Sequence, residues 1–486
     1  MRNLAAVAGD RFECFQFHAG WIADQSAITK LWTSCDRGAA VLHRADQGIE
    51  SSESRKARGW AHETIYFMAV EEGDALGLYL SIPFCRSKCT YCNFASGVYP
   101  ASEHGRYVQR LIEDLEAGAE WAARMGVELP RKVDSVYLGG GTPSLLAPEL
   151  IERLFGAMRA EFEFEPDAEI TVECAPGQLA DEALAALAES GVNRVSLGVQ
   201  SFIDREAHES GRLHSRAVAR RDIERLREAG IGNLNVDLIA GLAGQTFASW
   251  EESLGVLADS GVPHASVYML EVDEDSRLGR EMLAGGARYH AGLVPSDDAI
   301  ARMYAWAIER LAQAGLAQYE ISNFSRPGFE SRHNLRYWRR RPYLGLGLDA
   351  SSALHAADDA SHGRDPVGPG YVLRSTTTDD LKAYLAGSEP GPPRTGLGPW
   401  GGEPAETAWL SPARQHEEAW FLGLRLNAGV DVAALEREFG RETVAPALEA
   451  VARLTEDGLL ISDGKTVRLT PQGQLLSNDV FQEFLG

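Results

Sequence analysis

From residue 78 to residue 270 short apolar runs alternate with longer amphipathic segments, and nothing else in the chain restricts its fold so strongly. The runs "LYLSI" (78–82), "SVYLGG" (135–140), "EITVEC" (169–174), "RVSLGVQ" (194–200), "NLNVDLI" (233–239) and "HASVYML" (264–270) have the length and composition of buried strands. The segments between them, such as "HGRYVQRLIEDLEAGAEWAARM" and "AVARRDIERLREAG", repeat their apolar residues at helical spacing. A strand, a crossover helix and a returning strand make a parallel pair, so repeating the unit builds a parallel sheet. Six units fall short of the eight that close a full barrel, and the expected fold class is α/β, a partial (β/α)6 barrel. In such barrels the working residues stand where strands end and loops begin.

At 486 residues the chain exceeds one ordinary domain, and it divides by pattern into four parts. Residues 1–67 form an N-terminal extension without periodicity, for which Met68 is an alternative start; 68–325 carry the barrel. Residues 326–404 hold a motif-bearing segment and, from 355, a Gly-, Pro- and Asp-rich linker; 405–486 read as a small α+β domain of winged-helix type with a hairpin at Asp463-Gly464. Six cysteines are too few for a disulfide scaffold in so long a chain, and Cys14, Cys35 and Cys174 are scattered, so a reducing compartment is expected. No stretch approaches the roughly 18 apolar residues that span a bilayer, and the amino terminus is too polar for a secretory signal, which makes the expected location cytoplasmic. A formal charge of -23 repels polyanions, so nucleic acid is not an expected partner.

The other three cysteines lie together in "CRSKCTYCNF", where Cys85, Cys89 and Cys92 are spaced C-x3-C-x2-C just after the first strand. Three thiolates so placed suit a 4Fe-4S cluster, one per iron, and leave the fourth iron open as a coordination site. Structural zinc would ask for a fourth Cys or His, and none is near in sequence. Downstream, "YLGGGTPSLL" puts Gly140, Gly141 and Thr142 at a strand end, where glycine permits close backbone approach and free N–H groups meet an anion or polar ligand. The order of residues there is neither that of a P-loop nor that of a dinucleotide fingerprint. Glu173, Gln200, Arg212 and Asp237 fall at or just beyond the ends of successive apolar strands. Any one of them could be a salt bridge or a strand-end cap; four in successive units point to a shared ligand, because burying them unpaired costs several kcal/mol, on the order of 2–7 each.

The cysteine triplet resembles the cluster motif of the radical S-adenosylmethionine (SAM) superfamily. The resemblance implies a radical SAM barrel in which SAM chelates the open iron through its amino and carboxylate groups and is cleaved to a 5'-deoxyadenosyl radical. The spacing of Tyr79, Gly140, Gly141, Thr142, Glu173, Gln200, Arg212 and Asp237 is similar to that of the coproporphyrinogen oxidase-like branch, where matching residues contact SAM. Tyr91 stands where the superfamily often has an aromatic residue against the adenine; ordinary packing beside a cluster is the alternative. Ala175 replaces a usual Asn and Ala243 a usual Pro, both beside expected contacts.

Within that branch two groups compete. The oxygen-independent coproporphyrinogen III oxidase, a radical decarboxylase, usually has a fourth cysteine two residues after the third, where this chain has Phe94. The HemW-type haem chaperone group carries an HNxxYW motif, matched here by His333, Asn334, Tyr337 and Trp338 in "RHNLRYW". An imidazole can ligate haem iron, aromatics can pack on a porphyrin, and Arg332, Arg336, Arg339, Arg340 and Arg341 could pair with propionates. The alternative is a histidine bonded within a loop and solvated arginines. A family histidine after "YLGLG" is absent, which leaves His355 as a substitute second ligand. This resemblance implies three bound groups, a 4Fe-4S cluster, SAM and haem, and as partners haem-accepting proteins, membrane-associated ones among them, and an electron donor such as a flavodoxin or ferredoxin. Monomer and homodimer stay open, as does SAM turnover. A radical SAM methyltransferase is a further alternative that would not need "RHNLRYW".

Overall fold

The computed structural model describes residues 75–357, 370–386 and 406–485. The expected extension over 1–67, the start at Met68 and the greater part of the linker lie outside the described residues. Strands β1 (Leu76–Ile82), β2 (Lys132–Gly140), β3 (Glu163–Cys174), β4 (Arg194–Gln200), β5 (Asn233–Ala240) and β6 (His264–Met269) pair side by side, all parallel. Every residue of β1 and of β4 is buried, as expected of parallel strands covered on both faces. The crossovers run through α1 (Ala101–Met125), α2 (Pro148–Glu161), α3 (Asp181–Glu189), α4 (Asp204–Glu209) with α5 (Arg216–Glu228), and α6 (Phe247–Ser260).

Local sequence explains where these helices stop and start. At the end of α1 the chain turns at Gly126, whose left-handed φ of 65° lets its N–H reach back to the carbonyls of Ala122 and Ala123. Thr246 caps α6 by accepting from the N–H of Ser249, and the Ser249 side chain reciprocates. The outward faces of the strands (Leu78, Val136, Val172, Val195, Val236, Val267) pack with Trp121 and Trp250 into one core.

The sheet does not end at β6. After α7 (Arg277–Leu283) and α8 (Asp297–Gln313), β7 (Ala317–Glu320) and β8 (Asn323–Ser325) extend it antiparallel from β6. Helix α9 (Arg332–Trp338) follows, and then β9 (Tyr343–Leu346) returns to pair in parallel with β1 at the opposite side. From there β10 (Ser351–His355), β11 (Val372–Thr376) and β12 (Glu406–Leu410) add antiparallel strands, with α10 (Leu381–Ala386) between the last two. Part of the stretch read as linker is therefore strand. Its Gly and Pro content masked a short run, "VLRST", whose register against β10 is set by pairing with a distant segment.

The remaining residues build α11 (Pro412–Leu424), α12 (Val432–Phe439), α13 (Arg441–Glu456), α14 (Pro471–Leu475) and α15 (Ser477–Gln482) around a small sheet of β13 (Val430–Asp431), β14 (Leu460–Ser462) and β15 (Thr466–Leu469). Asp463 and Gly464 turn the hairpin, Gly464 at φ 81°. This part has its own core of Trp420, Phe421, Val444, Val467 and Phe481. The fold is thus the α/β partial barrel with a C-terminal α+β unit that the sequence predicts.

Candidate functional site

The cysteine loop is held at its base and at its tip. Cys85 N–H donates to the Gly97 carbonyl (2.9 Å) and Gly97 N–H to that of Pro83 (2.9 Å), closing the loop where it leaves β1. At the tip, Thr90 N–H donates to the Ser210 carbonyl (3.0 Å) and Leu278 N–H to that of Thr90 (2.8 Å). The Lys88 ammonium crosses the loop to the carbonyls of Phe94 (2.6 Å) and Ser96 (2.9 Å). The loop meets the glycine turn through Thr142, whose N–H donates to the Phe84 carbonyl (2.8 Å) and whose Oγ1 lies 4.0 Å from Cys85 Sγ. Gly141 is required there, since a Cβ would stand 2.7 Å from the Ile82 carbonyl oxygen and 2.9 Å from Phe84 N.

All three thiols are free and face a cavity of ≈ 200 Å³ that opens at the carboxyl ends of β1–β6 and reaches down inside the barrel to Arg194 and Asn235, near the starts of β4 and β5. Tyr91, Gly140, Gly141, Thr142, Glu173, Gln200, Arg212 and Asp237 line the same cavity. Tyr79 does not; it is buried behind Gly140, stacked on Tyr137 with centroids 6.2 Å apart. Strand alternation explains the rest: Glu173 points opposite to its neighbours Val172 and Cys174, and Asp237 opposite to Val236 and Leu238.

Sequence reasoning missed the side chains that orient these groups. Tyr137 donates to Glu173 Oε1 (2.8 Å), and Ser196 (2.9 Å) and Asn235 (2.7 Å) donate to the two oxygens of Asp237. Asn235 precedes Asp237 by two residues, so strand periodicity places both on the barrel face and could have found it. Arg212 donates to the Tyr91 hydroxyl (3.2 Å), and Gly198 leaves room for it, since a Cβ there would fall 2.8 Å from Arg212 Nη2. Gln200 adopts φ 68°, a left-handed backbone that costs energy for a residue with a side chain and is concentrated at functional sites. Glu271, just after β6, adds a further acid to the cavity wall.

The electrostatics follow from burial. Desolvation raises the Glu173 carboxyl to about 7 against the hydrogen bond from Tyr137, and it raises Asp237 and pushes Glu271 up to about 8. Burial works against the Arg212 charge, but Cys89 and Tyr91 beside it keep the guanidinium firmly protonated. Gln200 Oε1 and Arg212 Nε are buried without a hydrogen-bond partner. An acceptor and a donor left unsatisfied in a cavity, beside acids that a cation would ionise, fit a zwitterionic, cationic ligand. No three His, Cys, Asp or Glu side chains among the described residues are grouped to hold a single metal ion. A cubane cluster does not require that grouping, because each thiolate takes its own iron.

The "RHNLRYW" residues occupy the other end of the barrel. His333 is fully buried, with Nδ1 3.1 Å from Ser135 Oγ and Nε2 2.9 Å from the Tyr337 hydroxyl, and burial lowers its pKa well below the usual imidazole value. Tyr337 is buried with it, and Trp338 lies under the Arg425 guanidinium, 4.2 Å from the ring centroid. Of the arginines, Arg336 pairs with Asp134, Arg332 with Asp167 (3.1 Å) and Arg340 with Glu438 (2.7 Å). Asn334 alone of the four motif residues reaches the cavity. His355, the substitute second ligand, lies on β10.

The fold, the cysteine loop and the polar strand ends define a radical SAM barrel. A family model described as the Radical SAM superfamily matches residues 79–257, and one for the HemN C-terminal domain matches 410–476. Heme chaperone HemW of Lactococcus lactis is 33% identical over 407 residues, which is 84% of this chain and 96% of that one. Heme chaperone HemW of Bacillus subtilis is 32% identical, covering 84% and 98%. Among solved structures, coproporphyrinogen III oxidase (HemN) from Escherichia coli superposes with a TM-score of 0.68 at 23% identity, covering 84% of this chain and 90% of that one, a likeness of fold. The chain belongs to the HemW family of radical SAM proteins. Membership of the radical SAM superfamily brings a 4Fe-4S cluster and SAM as its cofactors. Among the described residues no helix is long and apolar enough to cross a membrane.

Proposed function

We propose that the chain is a haem chaperone, binding haem and passing it to an acceptor protein, with a SAM-ligated 4Fe-4S cluster on Cys85, Cys89 and Cys92. The observation that carries this reading is Phe94: the loop has three cysteines and no fourth, and the relatives that match most of the chain are named haem chaperones. A 4Fe-4S cluster held by Cys85, Cys89 and Cys92 would supply one-electron chemistry to SAM bound beside it. The chain's own residues do the rest. Arg212 and Gln200 offer a fixed donor and acceptor, Glu173 and Asp237 receive positive charge, and the Gly140–Gly141 turn leaves room for close backbone approach. Tyr137, Ser196 and Asn235 hold the two carboxylates in place before a ligand arrives. The division into 68–325, 326–404 and 405–486, and an electron donor of flavodoxin or ferredoxin type, belong to the same proposal.

The same proposal takes the haem iron ligand from elsewhere than His333, since both its ring nitrogens are hydrogen-bonded in a closed interior. The test is a haem titration of the full chain, followed in the Soret region, for the natural sequence and His333→Ala. Equal affinity and an equal spectrum are expected of the haem-bound forms; a shifted Soret band in the variant would return His333 to the haem. Failure of the natural chain to bind haem would remove the chaperone reading itself.

A further inference from the structure

Helix α9 is tied into the barrel through most of its polar groups. Glu169 accepts from the backbone N–H groups of Arg332 (3.1 Å) and His333 (3.0 Å), His333 bonds Ser135 and Tyr337, and Arg336 is paired with Asp134. The exception is Asn334. It is 5% exposed, it lines the cavity that holds the three thiols, and its Oδ1 has no hydrogen-bond partner. A buried amide oxygen left unpaired costs about 1–3 kcal/mol, so it marks a place where a donor belongs.

The other end of the helix touches the C-terminal part of the chain. Trp338 packs against that core and carries the Arg425 guanidinium 4.2 Å from its ring centroid. Arg425, at the end of α11, also lies 3.7 Å from the buried carboxylate of Glu320 and next to Glu271 on the cavity wall. One seven-residue helix therefore has a polar group in the cavity at its third position and an aromatic group on the C-terminal part at its last.

We propose that Asn334 is a ligand-binding residue of the barrel cavity, accepting a hydrogen bond from a hydroxyl or amine of bound SAM, and that α9 transmits this contact through Trp338 and Arg425 to the C-terminal core. The motif "HNLRYW" then serves the cavity and its link to the C-terminal part, with His333 and Tyr337 as anchors and Asn334 as the contact. This rests on the reading that SAM occupies the cavity. Coupling of this kind requires that the contact through Trp338 and Arg425 differ between the empty and the filled barrel, which the experiment below reads directly.

The experiment is an anaerobic SAM titration of the cluster-reconstituted full chain, with hydrogen exchange of residues 332–338 and 419–426 measured at saturating SAM. The natural chain is expected to bind SAM and to gain protection in both segments. Asn334→Ala should retain the cluster absorbance yet bind SAM about 3- to 10-fold more weakly, the size of one lost hydrogen bond. Asn334→Asp, which keeps an acceptor, should restore the affinity, and Trp338→Leu should bind SAM normally but lose the protection at 419–426. Unchanged SAM affinity in Asn334→Ala, or protection that survives Trp338→Leu, overturns the proposal while leaving the haem reading intact. Absence of SAM binding in the natural chain overturns the cavity assignment on which it stands.

Discussion

Glu173 illustrates how a functional residue opposes the stability of its own fold. Its carboxyl holds a proton more tightly in the folded chain, with a pKa of about 7, than at the ordinary value of 4.5 in the unfolded one. Where the folded state binds more protons, stability falls as pH rises, so this residue lowers stability between about pH 4.5 and 7, by on the order of 3 kcal/mol at the upper end. Glu173→Gln keeps an acceptor for Tyr137 and removes the charge. The ligand-free variant should gain stability over the natural chain at pH 8 and little at pH 4.5 in chemical denaturation, while SAM binding is lost. An equal gain at both pH values would contradict the burial argument. The same titration predicts that SAM affinity declines as pH falls below about 7, since a neutral Glu173 offers a cation less. Cys89→Ala should abolish the cluster's visible absorbance on reconstitution; a normal cluster in that variant would remove Cys89 as a ligand.

Among the elements, two positions carry much of the architecture around the site. Gly141→Ala would press a methyl group into the backbone of Ile82 and Phe84, and both contacts are main-chain atoms that cannot swing away. The cysteine loop must shift, so cluster occupancy after reconstitution should fall sharply while circular dichroism stays native. At the barrel's far end, Arg336 is almost fully buried against Asp134 and also donates to the Ala75 and Pro342 carbonyls. Arg336→Met leaves a buried carboxylate without its main partner and should cost about 3–5 kcal/mol in chemical denaturation. A loss below 1 kcal/mol, roughly, would show that Asp134 finds water instead.

At the scale of the whole molecule, legibility in the sequence followed locality. The six parallel strands were readable because burial on both faces makes each a continuous apolar run, and β4 falls on the expected residues 194–200. That Glu173, Gln200, Arg212 and Asp237 line a cavity was readable because polar groups at the ends of such runs have no place in a core, whereas Tyr79 lies behind Gly140, outside the cavity lining. Strands β9 to β12 were not readable, since short strands within Gly-rich sequence are defined by partners distant in the chain. The placement of "RHNLRYW" was unreadable for a related reason. Spacing alone does not say that Ser135 and Glu169, 198 and 164 residues upstream, would engage His333 and its backbone. His333, expected at a haem ligand, has both ring nitrogens hydrogen-bonded inside the barrel, and Asn334 beside it lines the cavity.

The central claim, a haem chaperone and not a porphyrinogen decarboxylase, turns on one paired assay of the anaerobically reconstituted chain. A haem titration and an incubation with SAM and coproporphyrinogen III are run on the same sample. Haem binding with no protoporphyrinogen formed is the predicted result, and protoporphyrinogen formation would contradict it and make a fourth cysteine at the position of Phe94 dispensable for the oxidase reaction.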